Sequence, residues 1–176
     1  MDLESTVVEQ LRNDLRGTAR FSHLGPMEAA NWCVQNNVNL EEALSWAKLA
    51  SGMDRQYATL RVEADALRAL GRREEYQKVM DEALEMGSVF QLHGYGRQLI
   101  TEGRVDDAMN VFKKNAKLHS NTWPVNYGLA REYSAKGDYK TALKYLVKAE
   151  QNCPDDVNLN MIKANKAKLE RGEDIN

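Results

Sequence analysis

Only three prolines and two cysteines occur among the 176 residues. So few prolines, with few runs of valine, isoleucine or threonine, argue against a sheet-rich fold. Cys33 and Cys153 fall in the first and last of the repeats described below and are not expected to pair; they read as small buried or half-buried thiols. No CxxC or HExxH spacing occurs, and His23, His93 and His119 are scattered, so no zinc site and no other metal or cofactor is expected. Nucleophile-elbow, P-loop and paired-carboxylate patterns are also missing, and no catalysis is expected. No apolar stretch approaches the roughly 18 residues of a membrane span. Residues 1–10 lack a basic start followed by an apolar run. These absences predict a soluble chain, cytoplasmic as it stands, or exported or periplasmic if Met1 is not its natural start. With a net charge of −2, nothing in the overall balance points to nucleic acid. A local basic face would still leave room for an acidic partner.

What the sequence does contain is helical periodicity. In Trp123–Pro154, Tyr127, Ala130, Tyr133 and Ser134 recur at three- and four-residue steps, as do Ala142, Leu143, Leu146, Val147 and Ala149. Between these stripes, Gly137 suits a left-handed helix end and Asp138 an N-cap. Pro154 stops the second helix. Ala130 and Ala142 fall where two antiparallel helices would cross closely. Moving back 34 residues turns Ala142 into Ala108, Leu146 into Phe112, Gly137 into Gly103, Ala130 into Gly96, Tyr133 into Leu99 and Leu129 into Tyr95. Further back the alanine point becomes Tyr76 and then Ala43, so the four points are spaced by 34, 32 and 33 residues. Tyr76, in place of alanine, predicts a splayed or locally repacked hairpin.

The period and the small–x2–large, Ala–x3–large pattern resemble the tetratricopeptide repeat. The pattern is carried by Tyr95-Gly96-x2-Leu99 with Ala108-x3-Phe112, and by Leu129-Ala130-x2-Tyr133 with Ala142-x3-Leu146 and Pro154. One departure is that the tryptophan position of the repeat falls on Leu92 and Asn126, with Trp123 three residues early. Longer strings, among them Gln91–Leu99, Asn121–Asn126 and Arg131–Tyr139, resemble the C-terminal helical half of a bacterial family whose N-terminal half is a β-rich domain of unknown function. That resemblance implies no activity or catalytic residues. The expected fold is therefore all-α, an α-α superhelix of about four hairpins in the manner of a tetratricopeptide solenoid.

The expected organisation is an N-terminal helix and linker over residues 1–23 and an array over 24–156. The array divides into units of about 24–56, 57–88, 89–122 and 123–156, and a capping helix and tail occupy 157–176. The first helix spans Leu3–Arg16 with Val7, Val8, Leu11 and Leu15 as its stripe. Phe21 is expected to anchor the linker, Asn39 with Glu42 to form a capping box, and Gly52 to end the first unit. The last helix is expected to bury Val157, Met161 and Leu169, with Ala164 and Ala167 beside them.

In arrays of this kind the first helix of each repeat lines the concave face. By that rule the groove carries Arg61, Asp65 and Arg68, then His93, Arg97 and Thr101, then Tyr127, Arg131 and Ser134, with Trp32 and Gln35 extending it. Arg97 and Arg131 occupy equivalent points and would present two guanidinium groups suited to carboxylates, with Tyr127 as a stacking face. The alternative is a solvated face of local ion pairs. The pattern does not reproduce the carboxylate clamp of chaperone-binding relatives, whose asparagines and lysines are replaced here by Asp65, Arg97 and Arg131. Gly94-Tyr95-Gly96 resembles a phosphate loop but lies in a helical pattern after no strand, so it reads as a close helix crossing at Gly96. His93 with Glu102 or Asp65 as an acid–base pair, and a small-ligand pocket near Trp32, His93 and Tyr127, are weaker readings. The function expected is a protein-interaction module holding a protein or peptide segment, acidic in character, in the groove. The alternative is a structural, self-assembling or accessory domain beside a catalytic or β-rich one, and a homo-oligomer is compatible with either.

Overall fold

A computed structural model describes residues 3–176; Met1 and Asp2, part of the expected N-terminal segment, lie outside the described residues. The fold is all-α, and no strand occurs among the described residues. The chain divides into two compact units, residues 1–86 and 87–176.

In the first unit, α1 (Leu3–Arg16) leads through a 3-10 turn (Thr18–Phe21) into two hairpins. These are α2 (Leu24–Asn36) with α3 (Leu40–Met53), and α4 (Tyr57–Ala69) with α5 (Arg73–Met86). Ala43, Ala47, Leu60, Ala64, Leu67 and Ala83 fill the core. Small residues let the helices approach while the leucines fill the flanks. Of the two outcomes expected at Tyr76, the packing around it is that of local repacking. The Tyr76 ring lies half-buried beside Leu44, Ala66 and Leu67, and the small residue that α5 lacks is supplied by Ala66 of α4. Cys33 is fully buried, and burial pushes its thiol up.

Three sequence expectations fail in this unit for identifiable reasons. Phe21 does not anchor the linker: it is 73% exposed, under the Arg20 guanidinium. The anchor is Gly25, where a Cβ would sit 2.3 Å from the Ala19 carbonyl oxygen. No Asn39 cap bond forms, because Asn39 is itself left-handed (φ 46°). Its intended partner Glu42 is taken instead by Arg12 of α1, through a two-pronged pair at 2.9 and 2.7 Å. Finally, Gly52 lies inside α3, which runs on to Met53.

The second unit holds two further hairpins and a closing helix. The hairpins are α6 (Val89–Thr101) with α7 (Val105–His119), and α8 (Trp123–Ala135) with α9 (Tyr139–Asn152); α10 (Asp156–Glu170) follows. A common turn closes the hairpins of both units. Gly71, Gly103 and Gly137 are left-handed, and the next N–H reaches back to Leu67, Leu99 and Tyr133 respectively at 2.8–2.9 Å. In the first hairpin Asn37 (φ 55°) takes the glycine's place, with Val38 bonding back to Cys33. Asp138 and Asp155 cap α9 and α10 through the amides of Thr141 and Asn158.

α10 keeps only Leu169 of the face expected to be buried. It buries Ile162, Asn165 and Leu169, while Val157 is 81% exposed and Met161 is also exposed. The face includes Asn165, which a purely apolar stripe passes over, because its carboxamide has a buried partner in α8. After Gly172 (φ 76°) the chain turns back, and Ile175 joins the core beside Tyr127, Ala130, Ile162 and Leu169.

Candidate functional site

The expected groove residues fall in both units, and each set has its own arrangement. On α4, Arg61 donates to Asp65 at 2.9 Å and Arg68 lies 3.6 Å from the same carboxylate. This is a ladder of side chains one helical turn apart. It borders a cleft of about 310 Å³ with Tyr57, Glu28 and Asn31. The local ion-pair arrangement thus describes this set. Trp32 packs with Val8, Cys33 and Ala43, and Gln35 is exposed on α2.

The second unit gathers the other residues more tightly. His93 of α6 stacks on Tyr127 of α8, ring centroids 5.7 Å apart and 18° from parallel, with Phe112 6.1 Å away. The Arg131 guanidinium covers the Tyr127 ring at 4.8 Å. Tyr127 therefore offers no open stacking face; its ring is part of the core. Its hydroxyl accepts from Arg131 Nη2 at 3.2 Å and from the Asn165 carboxamide of α10. Removing that hydroxyl strands two buried donors. Tyr127→Phe is expected to lower stability by about 1–3 kcal/mol. Adding Asn165→Leu should recover part of the loss, as read from urea midpoints; equal midpoints for wild type and Tyr127→Phe would show the hydroxyl to be idle.

Arg97 and Arg131 do share a cleft, of about 380 Å³, lined also by Ile100, Thr101, Asp174 and Asn176. They are not equivalent within it. The Arg97 guanidinium is exposed and makes no hydrogen bond or ion pair among the described residues. Arg131 is only 9% exposed and is held by the closing segment. Its Nη1 donates to the Ile175 carbonyl at 3.1 Å and to Asn176 Oδ1 at 3.3 Å. Burial lowers its pKa, and the nearby Arg97 charge adds to that. Among the described residues its Nε is buried without a partner and no carboxylate forms an ion pair with it, although the Asp174 charge acts to raise its pKa.

Ser134 lies beneath the same segment. Its hydroxyl donates to Asp174 Oδ1 at 2.5 Å and accepts from the Ile175 amide at 3.1 Å. Burial opposes ionisation of Asp174, but hydrogen bonds from Ser134 and Asn176 outweigh it and hold the carboxyl below its usual range. Thr101, by contrast, spends its hydroxyl on the Arg97 carbonyl. Sequence reasoning passed over Asp174, Ile175 and Asn176 as site residues. No periodicity marks them; the only signal was a single aliphatic residue among polar ones after a helix-ending glycine.

His93 gains no acid–base partner from Glu102, which bonds Gln98 and Arg104 instead. Gly96 does mark a close approach, but to a side chain and not a helix backbone: a Cβ there would sit 2.3 Å from the Phe112 ring. No group of three or more histidine, cysteine, aspartate or glutamate side chains gathers among the described residues. No described helix is long and apolar enough to cross a membrane.

No protein-family model matches the chain, and no curated protein matches it. The resemblance to the β-rich bacterial family therefore rests on the sequence strings alone. Among solved structures, the crystal structure of YrrB, "a TPR protein with an unusual peptide-binding site", aligns with 94% of this chain and 86% of its own. The identity is 14% and the TM-score 0.46, a likeness that transfers nothing about ligands.

Proposed function

We propose that this protein is an interaction module whose α6–α8 face holds an extended, acidic peptide segment. The observation that carries this reading is the excess positive charge of the cleft. Two guanidinium groups line it against one carboxylate, that of Asp174, which is held by Ser134 and Asn176 and forms no ion pair with either arginine among the described residues. Arg97 is exposed, and Arg131 is buried with an unpartnered Nε. A buried guanidinium with an unsatisfied donor is costly, and an incoming carboxylate would relieve that cost through charge-assisted hydrogen bonds. Thr101 and Ile100 give the same cleft a polar and an apolar wall.

Arg97 carries the test, because it is exposed and supports nothing else, whereas changing Arg131 would disturb the packing of α8. A displayed library of random decapeptides selected on the immobilised protein should enrich aspartate and glutamate. Arg97→Glu should weaken the selected peptides at least tenfold at low salt without lowering the melting temperature. Raising the ionic strength should weaken wild-type binding in the same direction. A selection without acidic enrichment, or binding indifferent to Arg97→Glu, would overturn the proposal.

A further inference from the structure

Resting on that reading, we infer that Asp174–Asn176 is a built-in occupant of the recognition face. The ligand of the face is then a chain segment in the order carboxylate, aliphatic, carboxamide, which binds by taking that occupant's place. The segment is held as a bound peptide would be. Asp174 accepts from Ser134, and the Ile175 amide donates to the same hydroxyl. Arg131 Nη1 holds the Ile175 carbonyl. The Asn176 carboxamide bridges both ends of one residue, accepting from the Arg131 guanidinium and donating to the Arg131 carbonyl at 3.1 Å. Between these polar contacts the Ile175 side chain enters the core, 4% exposed. Three consecutive positions are thus read by different chemistry: hydroxyl to carboxylate, apolar pocket to aliphatic, and a donor–acceptor pair to carboxamide. The last of these rejects a charged side chain, which could not donate and accept at once.

The segment leaves part of the face unsatisfied. Arg131 Nε has no partner and Arg97 is untouched. Asp174 and Asn176 are walls of the cleft that these arginines line. A segment with the same three residues and a further carboxylate placed towards Arg97 would make every contact the built-in one makes, and at least one more. The built-in segment competes at the effective concentration of a tethered ligand, on the order of millimolar. It would thereby set a threshold that weak or partial matches do not pass.

The experiment uses the full chain and a fluorescein-labelled, C-amidated hexapeptide Arg-Gly-Glu-Asp-Ile-Asn, followed by anisotropy. Ile175→Asp should expel the segment, because an aspartate cannot be buried beside Tyr127 and Ala130. Asp174→Ala with Asn176→Ala loosens only the polar clasp and serves if the first variant loses its helicity by circular dichroism. Either folded variant should bind the hexapeptide at least tenfold more tightly than wild type. A hexapeptide with its isoleucine replaced by aspartate, or its aspartate by lysine, should not bind. Folded variants that bind no more tightly than wild type, or that bind a scrambled hexapeptide equally well, overturn the inference. Should library peptides still bind wild type through Arg97 in that case, the proposed function stands and only the built-in occupant is refuted. If neither binds, both fall.

Discussion

Alanine at Gly96 is expected to destabilise the protein by about 1–3 kcal/mol. Alanine at Gly94, two residues earlier on the same helix, is expected to stabilise it by nearly 1 kcal/mol. Both glycines have ordinary helical backbone, so propensity alone predicts a gain at each. Their surroundings decide otherwise. Nothing lies within 4 Å of a Cβ at Gly94, whereas a Cβ at Gly96 would sit 2.3 and 2.5 Å from the edge of the Phe112 ring. The ring cannot retreat freely, because Gly128 of α8 meets it as well, its Cβ position lying 2.6 Å from Phe112 Cδ1. One aromatic side chain of α7 thus fills a notch cut by two glycines on two other helices. Phe112→Leu should shrink the penalty of Gly96→Ala. Urea denaturation followed by circular dichroism compares wild type, the three single variants and the Gly96→Ala/Phe112→Leu double variant. Equal gains at Gly94 and Gly96 would refute the notch.

The second large effect depends on pH. Burial lowers the His93 pKa to about 4, and the positive charges of Arg131 and Arg97 act in the same direction. Its Nδ1 is buried without a partner, and a backbone hydrogen bond to the Pro124 carbonyl opposes the shift without outweighing burial. The folded value lies below the ordinary 6.5, so the unfolded chain takes up the proton first as pH falls. The contribution of neutral His93 is therefore complete above about pH 6.5, declines as pH falls through the interval and is lost near pH 4. The shift corresponds to roughly 3 kcal/mol between neutral and pH 4. His93→Gln should abolish that part of the acid slope while leaving the part due to carboxylates. Among these carboxylates, Glu132 acts in the opposite sense, since burial raises its pKa and its contribution is lost as pH rises. Comparing wild type with His93→Gln at each pH cancels such shared terms; parallel curves would show that His93 titrates as an exposed imidazole.

The repeat architecture could be read from the chain because its determinants are local. The left-handed glycines 71, 103 and 137 and the caps at Asp138 and Asp155 act within a few residues of themselves. The site was less legible. Arg97 and Arg131 are 34 residues apart and equivalent by helical phase, so a rule based on repeats assigns them the same environment. They differ because the closing segment lies across Arg131, and no repeat pattern encodes that. The same cause hid the buried face of α10: Asn165 counts as polar until its carboxamide is seen on Tyr127. The reciprocal half of the capping box at Asn39 failed because Glu42 was claimed by Arg12, 30 residues earlier, a competitor that no local motif contains. Local chemistry was readable wherever no distant residue competed for the same atom.

The contact between Arg131 and the Ile175 carbonyl spans 44 residues. At synthesis rates of about 5–20 residues per second, the guanidinium is made several seconds before the group that covers it. During that interval Arg131 and Ser134 of α8 stand uncovered, while the pocket of Ile175 is completed only by Ile162 and Leu169 of α10. If the closing segment is the tethered occupant inferred above, a segment of matching chemistry encountered then would meet no rival for these polar contacts, and that opening would close once residue 175 arrives.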